Sequence, residues 1–112
     1  MSKIDIVKMK KIAFDCLEDD KAVDIKIIDI APDNAIADCL IFASGNSSRH
    51  VNALSEHLVE TFKTHHIRPV SVDGLEKCDW VLLDFTDIIV HLFKPEIRQF
   101  YDLEKLWQAQ KP

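Results

Sequence analysis

Apolar residues in the first segment recur at helical intervals. Ile6, Met9, Ala13 and Cys16 share one stripe, flanked by Ile12 and Leu17, which predicts a helix over 3–18. Val23, Ile25 and Ile27 then alternate with Asp24 and Lys26, the period of a half-buried strand. Ala31-Pro32-Asp33-Asn34 is a turn. Residues 37–43 are apolar except for Asp38, which suits a central strand covered on both faces. Ser44-Gly45-Asn46-Ser47-Ser48 supplies turn and N-cap chemistry, and a long helix follows over 48–65. Its stripe is Val51, Leu54, Leu58 and Phe62. Residues 67–72 read as a short strand that Pro69 assigns to a sheet edge or first position. Asp73-Gly74 turns the chain. Residues 80–85 and 88–93 are two more strands, joined as a hairpin across Thr86-Asp87. Pro95 opens a last helical segment as its first residue. The order α-β-β-α-β-β-β-α predicts an α/β (α+β) domain, with a mixed five-stranded sheet flanked by helices.

Composition narrows the class. A chain of 112 residues has room for one domain, and 47% hydrophobic residues suffice for a core. The net charge of −5 argues against a protein that grips DNA or RNA chiefly through phosphates, and against attachment to anionic lipid. It leaves room for a basic protein as partner. No apolar run approaches membrane-spanning length, no signal sequence is read at the start, and the first twenty residues are too acidic for a transit peptide. Cys16, Cys39 and Cys78 form no CxxC pair, so free thiols in a reducing cytoplasm are expected.

The loop from Ser44 to Arg49 is the best enzyme candidate. A turn between a buried strand and a helix is where backbone N–H groups hold phosphate, so Gly45, Ser47, Ser48 and Arg49 are candidate anion contacts. The chemistry of a nucleotidyltransferase also needs paired aspartates on the next strand, and residues 67–72 have none. Asp84 and Asp87 are three apart, which alternation sends to opposite faces. His50 and His57 share a helix face but stand seven apart, too far for an i, i+4 metal pair. His65-His66 falls at a helix end and His91 in an apolar strand. No cysteine–histidine pair follows from spacing alone, so no metal or cofactor is expected.

Charge is unevenly placed. Residues 79–104 hold six acids against two bases, leaving −4, together with Trp80, Phe85, Phe93, Phe100 and Tyr101. Aromatic anchors beside steering acids suit docking on a basic protein.

Three stretches together resemble the Iojap-like ribosomal silencing factors. The first is Asp38-Cys39-Leu40-Ile41-Phe42-Ala43-Ser44-Gly45-Asn46-Ser47-Ser48-Arg49-His50-Val51. The second is Asp79-Trp80-Val81-Leu82-Leu83-Asp84-Phe85-Thr86-Asp87-Ile88-Ile89-Val90-His91, and the third Tyr101-Asp102-Leu103-Glu104-Lys105-Leu106-Trp107. Thr86 departs from the pattern, standing where that family often has Gly. The resemblance implies a nucleotidyltransferase-like fold without catalytic aspartates. It implies a cytoplasmic, non-enzymatic factor that binds the large ribosomal subunit through ribosomal protein L-fourteen. Occupying that surface blocks joining to the small subunit and represses translation when nutrients are scarce. The expected partner surface is Trp80, Asp84, Asp87, Ile89, His91, Tyr101, Leu103 and Trp107. Two alternatives stand beside it: a minimal nucleotide-binding enzyme using the Gly45 loop, and a homodimeric adaptor pairing through apolar helix faces.

Overall fold

The computed structural model describes residues 6–30 and 39–101, the last three by backbone alone. The first helical stripe folds as α1 (Ile6–Asp19), which buries Met9, Ala13, Cys16 and Leu17. The chain then forms β1 (Val23–Asp29), β2 (Cys39–Ser44), α2 (Ser48–Lys63), β3 (Ser71–Asp73), β4 (Trp80–Asp84), β5 (Ile88–Phe93) and α3 (Pro95–Tyr101). The expected element order holds throughout. The turn expected at 31–34 lies outside the described residues.

The five strands form one sheet in the order β1-β2-β5-β4-β3. β2 and β5 run parallel in its middle, and every other pairing is antiparallel. Both central strands are buried along their whole length, as a continuous apolar run demands. The N-cap is Ser47, whose side chain accepts from the His50 N–H, and the α2 stripe Val51, Leu54, Leu58 and Phe62 is fully covered.

Two strands depart from the expectation. β3 is an edge strand, but it is shorter than 67–72 and shifted to Ser71–Asp73. Pro69 has no N–H to give, and pairing with β4 starts with the Val70 N–H on the Asp84 carbonyl. In β1, Val23, Ile25 and Ile27 do not share a buried face. Asp24 takes φ 51° and the register slips between Val23 and Lys26, a bulge that sends Val23 to the opposite face. Val23 and Ile27 are exposed, and Ile28 is the residue this strand buries.

The sheet's two faces bury separate clusters. α1 and α2 cover Cys39, Ile41, Ala43, Val81, Leu83, Ile88, Val90 and Leu92. The other face carries Ile28, Leu40, Phe42, Ile89 and Phe93, with Ile30, Trp80, Leu82 and Ile97 half-buried around them. Among the described helices only α3 lies against this second face, through Ile97.

Candidate functional site

Strand register gathers much of the expected partner surface on the second face. Trp80 pairs with Phe93, Leu82 with His91 and Asp84 with Ile89, and alternation makes all six project to the same side. Gly74 helps to set the start of β4. It takes φ 92°, and a Cβ there would stand 2.1 Å from the Trp80 carbonyl oxygen.

Exposure divides these residues into a support and a surface. His91 is 7% exposed and Ile89 9%, so they lie beneath the face. Trp80, Leu82 and Asp84 are only half-buried and form its outer layer. Leu82 was not among the expected contact residues. The period-two series Trp80, Leu82, Asp84 was the signal that could have found it.

His91 is held in an aromatic nest. Its ring centroid lies 4.9 Å from that of Phe42, 6.0 Å from that of Trp80 and 6.2 Å from that of Phe93. The Trp80 indole Nε1–H donates to His91 Nδ1 at 3.1 Å. That bond needs an unprotonated Nδ1, so the neutral ring carries its proton on Nε2. Burial lowers the His91 pKa to about 4, and the imidazole stays neutral at physiological pH.

Around this nest the charges are partly neutralised. Lys94, one of the two bases already counted in the −4, pairs with Asp79 at 3.1 Å, so the excess is carried by the other acids. Arg98 crosses the Phe93 ring, 5.8 Å from its centroid, and donates to Ser44 Oγ at 3.0 Å. Asp84 accepts from the Thr86 N–H at 2.8 Å and marks the hairpin end of the face. Asp87 sits in the hairpin turn itself, away from the strand positions that alternation assumes. Tyr101 ends α3 with its side chain outside the description, and Leu103 and Trp107 lie outside the described residues.

The Gly45 loop is at the opposite end of the hairpin from Asp84. The Gly45 N–H donates to the Phe93 carbonyl, the Asn46 N–H to His50 Nδ1 and the His50 N–H to Ser47 Oγ. A Cβ on Gly45 would stand 2.9 Å from both the Val51 side chain and its backbone nitrogen, so glycine lets α2 start close to the sheet. Ser48 Oγ donates to Asp79 at 3.5 Å, which sets a carboxylate near the α2 N-terminus, while Arg49 is exposed.

Residues 3–112 match the family described as ribosomal silencing factor during starvation. The chain is 45% identical over 97 residues to the ribosomal silencing factor RsfS of Zymomonas mobilis, covering 87% of this chain and 73% of that protein. It is 36% identical to the RsfS of Chromobacterium violaceum, covering 97% and 89%. A crystal structure of a protein from Chromobacterium violaceum superposes with a TM-score of 0.90 at 36% identity, covering 97% of this chain and 91% of that one. A crystal structure from Bacillus halodurans gives 0.82 at 29% identity, covering 90% and 94%.

Proposed function

Because this chain belongs to the ribosomal silencing factor during starvation family, we propose that it binds the large ribosomal subunit through ribosomal protein L-fourteen. The bound domain then blocks joining to the small subunit and lowers translation when nutrients are scarce. The observation that carries this reading is the convergence of Trp80, Leu82 and Asp84 on the sheet face opposite α1 and α2. A half-buried indole beside an apolar side chain and a carboxylate supplies an anchor and a steering charge. His91 and Ile89 stiffen that layer from below.

Steric exclusion needs affinity and volume at one place and no bond-making. A stable contact buries about 800 Å² on each partner. Trp80, Leu82 and Asp84 would supply the described part of that contact, resting on a layer of buried side chains. Asp84 and Asp87 meet a basic protein surface first, which makes the association sensitive to salt within a screening length of about 10 Å at 0.1 M.

The test is co-sedimentation of the purified protein with isolated large subunits, followed by addition of small subunits. The wild-type chain is expected to travel with large subunits and reduce joining at modest salt. Asp84→Lys and Tyr101→Ala variants that remain folded are expected to bind less. If both bind as well as wild type, the contact lies elsewhere.

A further inference from the structure

The end of α1 meets the middle of α2 at a cluster across the sheet from the proposed docking face. Cys16 and Asp20 stand one helical turn apart, and His57 reaches them from α2. Cys16 Sγ, an Asp20 carboxylate oxygen and a His57 ring nitrogen all lie within 4.8 Å of one another. Among the described residues no other trio of metal-ligating side chains converges this way.

The surroundings hold this trio in place. His57 Nδ1 is hydrogen-bonded to the Asp20 carboxylate. His50, two turns earlier on the same face, fixes the backbone of Asp20. Its Nδ1 accepts from the Asn46 N–H at 2.9 Å, so its proton is on Nε2, which donates to the Asp20 carbonyl at 2.8 Å. Thr61, one turn beyond His57, places Oγ1 3.5 Å from Cys16 Sγ. Cys16 is buried, whereas the side chains of Asp20 and His57 are 28% and 49% exposed. The sulfur therefore anchors the cluster inside, and its other side opens to solvent.

We propose that Cys16, Asp20 and His57 bind a zinc-class divalent cation, with water as the fourth ligand. Thiolate, imidazole and carboxylate form a borderline-soft set that suits tetrahedral zinc, whereas magnesium and calcium take oxygen ligands. Tetrahedral zinc spaces such donors roughly 3.3–3.6 Å apart. The trio reaches that spacing by shifts on the order of 1 Å, which the exposed His57 and the partly exposed Asp20 can make by rotamer changes. On binding, the proton that joins His57 Nδ1 to the Asp20 carboxylate moves to Nε2 or to solvent, and the hydrogen bond gives way to two metal bonds. The Cys16 thiol releases its proton to solvent as the metal–sulfur bond forms, so affinity rises with pH. The cation joins α1 to α2 and stabilises the fold by mass action.

Cobalt(II) titration of the full chain tests the site, since a thiolate ligand gives near-ultraviolet charge transfer. One equivalent is expected to saturate this band, and zinc(II) to abolish it. Cys16→Ser is expected to remove the band. His57→Gln, at a half-exposed position that leaves the packing intact, and Asp20→Asn are expected to weaken binding by at least the ~10–100-fold that losing a supporting partner costs a metal site. A His65→Gln, His66→Gln double variant is expected to bind as wild type. The proposal is overturned if no thiolate band develops, if the band survives unchanged in both His57→Gln and Asp20→Asn, or if binding follows His65-His66 instead. None of these outcomes bears on ribosome docking.

Discussion

The two faces of the sheet are filled with different chemistry. Against α1 and α2 the layer is mostly aliphatic: Ile41, Leu83, Val90 and Leu92 share one buried cluster with Leu54, Leu58 and Phe62, all at no measurable exposure. The second face is built on Phe42, Phe93, Trp80 and a buried imidazole, with Asp84 and Lys26 at its margins. Burying a polar ring is unfavourable unless it is hydrogen-bonded, and a core built for stability alone would use a hydrocarbon there. His91 meets the hydrogen-bonding condition through Trp80, and the proposed docking role gives the second face a use for a polar ring and a half-buried indole that the first face lacks. The first face holds the domain together; the second supplies a shaped, polar-edged surface.

That division is broken or sharpened by variants on each side. The largest effect is expected from Phe62→Ala. The ring is fully buried and its centroid lies 4.5 Å from that of Phe85. Truncation is expected to cost about 3–5 kcal/mol in urea unfolding, while the fraction that remains folded keeps its affinity for large subunits. A folded Phe62→Ala protein with weakened binding would mean that the two faces are coupled.

The next effect lies on the second face and depends on pH. The His91 pKa falls from 6.5 to about 4 in the fold because burial disfavours the charged ring. Above pH 6.5 the ring is neutral in both states and contributes no pH dependence. As pH falls below 6.5 the unfolded chain takes the proton first, so stability drops progressively until pH reaches about 4. The full loss is about 3 kcal/mol. Protonating Nδ1 also breaks the bond from Trp80. In His91→Asn the amide oxygen keeps an acceptor for the indole without a titrating group. The difference in stability between the two chains, followed from pH 7 to 4, is expected to show this window. Parallel curves would mean that His91 is not held neutral.

Trp80→Ala comes third. Loss of a central aromatic anchor is expected to weaken large-subunit binding by about 2 kcal/mol or more, measured by co-sedimentation. Its effect on unfolding is expected to be smaller than that of Phe62→Ala because the indole is only half-buried. A Trp80→Ala protein that binds at full strength would take the docking role away from this face.

Much of this was legible in the residues because the signals were local. The α2 stripe, the Ser47 cap, the Asp73-Gly74 turn and the hairpin each follow from neighbours within a few positions. The face shared by Trp80, Asp84, Ile89 and His91 was implicit in strand alternation once the hairpin register was known. What escaped depends on departures from regular geometry or on contacts between distant segments. The bulge at Asp24 reassigns the faces of β1, and nothing in Val-Asp-Ile-Lys-Ile announces a positive φ. The bond from Trp80 to His91 needs the antiparallel pairing that brings residues 80 and 91 together. Spacing along one helix kept His57 from counting as a ligand, yet helix packing brings it to Cys16 and Asp20, 41 and 37 positions earlier.

The smallest effect concerns the turn between β4 and β5. Thr86 and Asp87 form the hairpin's two-residue loop, closed by the Phe85 N–H on the Ile88 carbonyl. Thr86 takes φ 77°, whereas Asp87 has no positive φ. The Asp87 N–H donates to the Phe85 carbonyl at 3.0 Å across Thr86, the i→i+2 bond of a γ-turn whose central residue is strained at positive φ. A β-branched residue is strained there, and the Thr86 N–H bond to Asp84 offsets only part of that strain. Thr86→Gly retains the N–H and removes the steric conflict, while the chain gains flexibility when unfolded. The net result expected is a stabilisation of about 1 kcal/mol, read as a higher urea midpoint at constant m. The substitution touches neither buried cluster and keeps the N–H that holds the Asp84 carboxylate, so affinity for large subunits is expected to stay within about twofold of wild type, a change of about 0.5 kcal/mol or less. A loss of binding in this more stable protein would move the contact from the sheet face to the hairpin tip, with Asp87 as its centre.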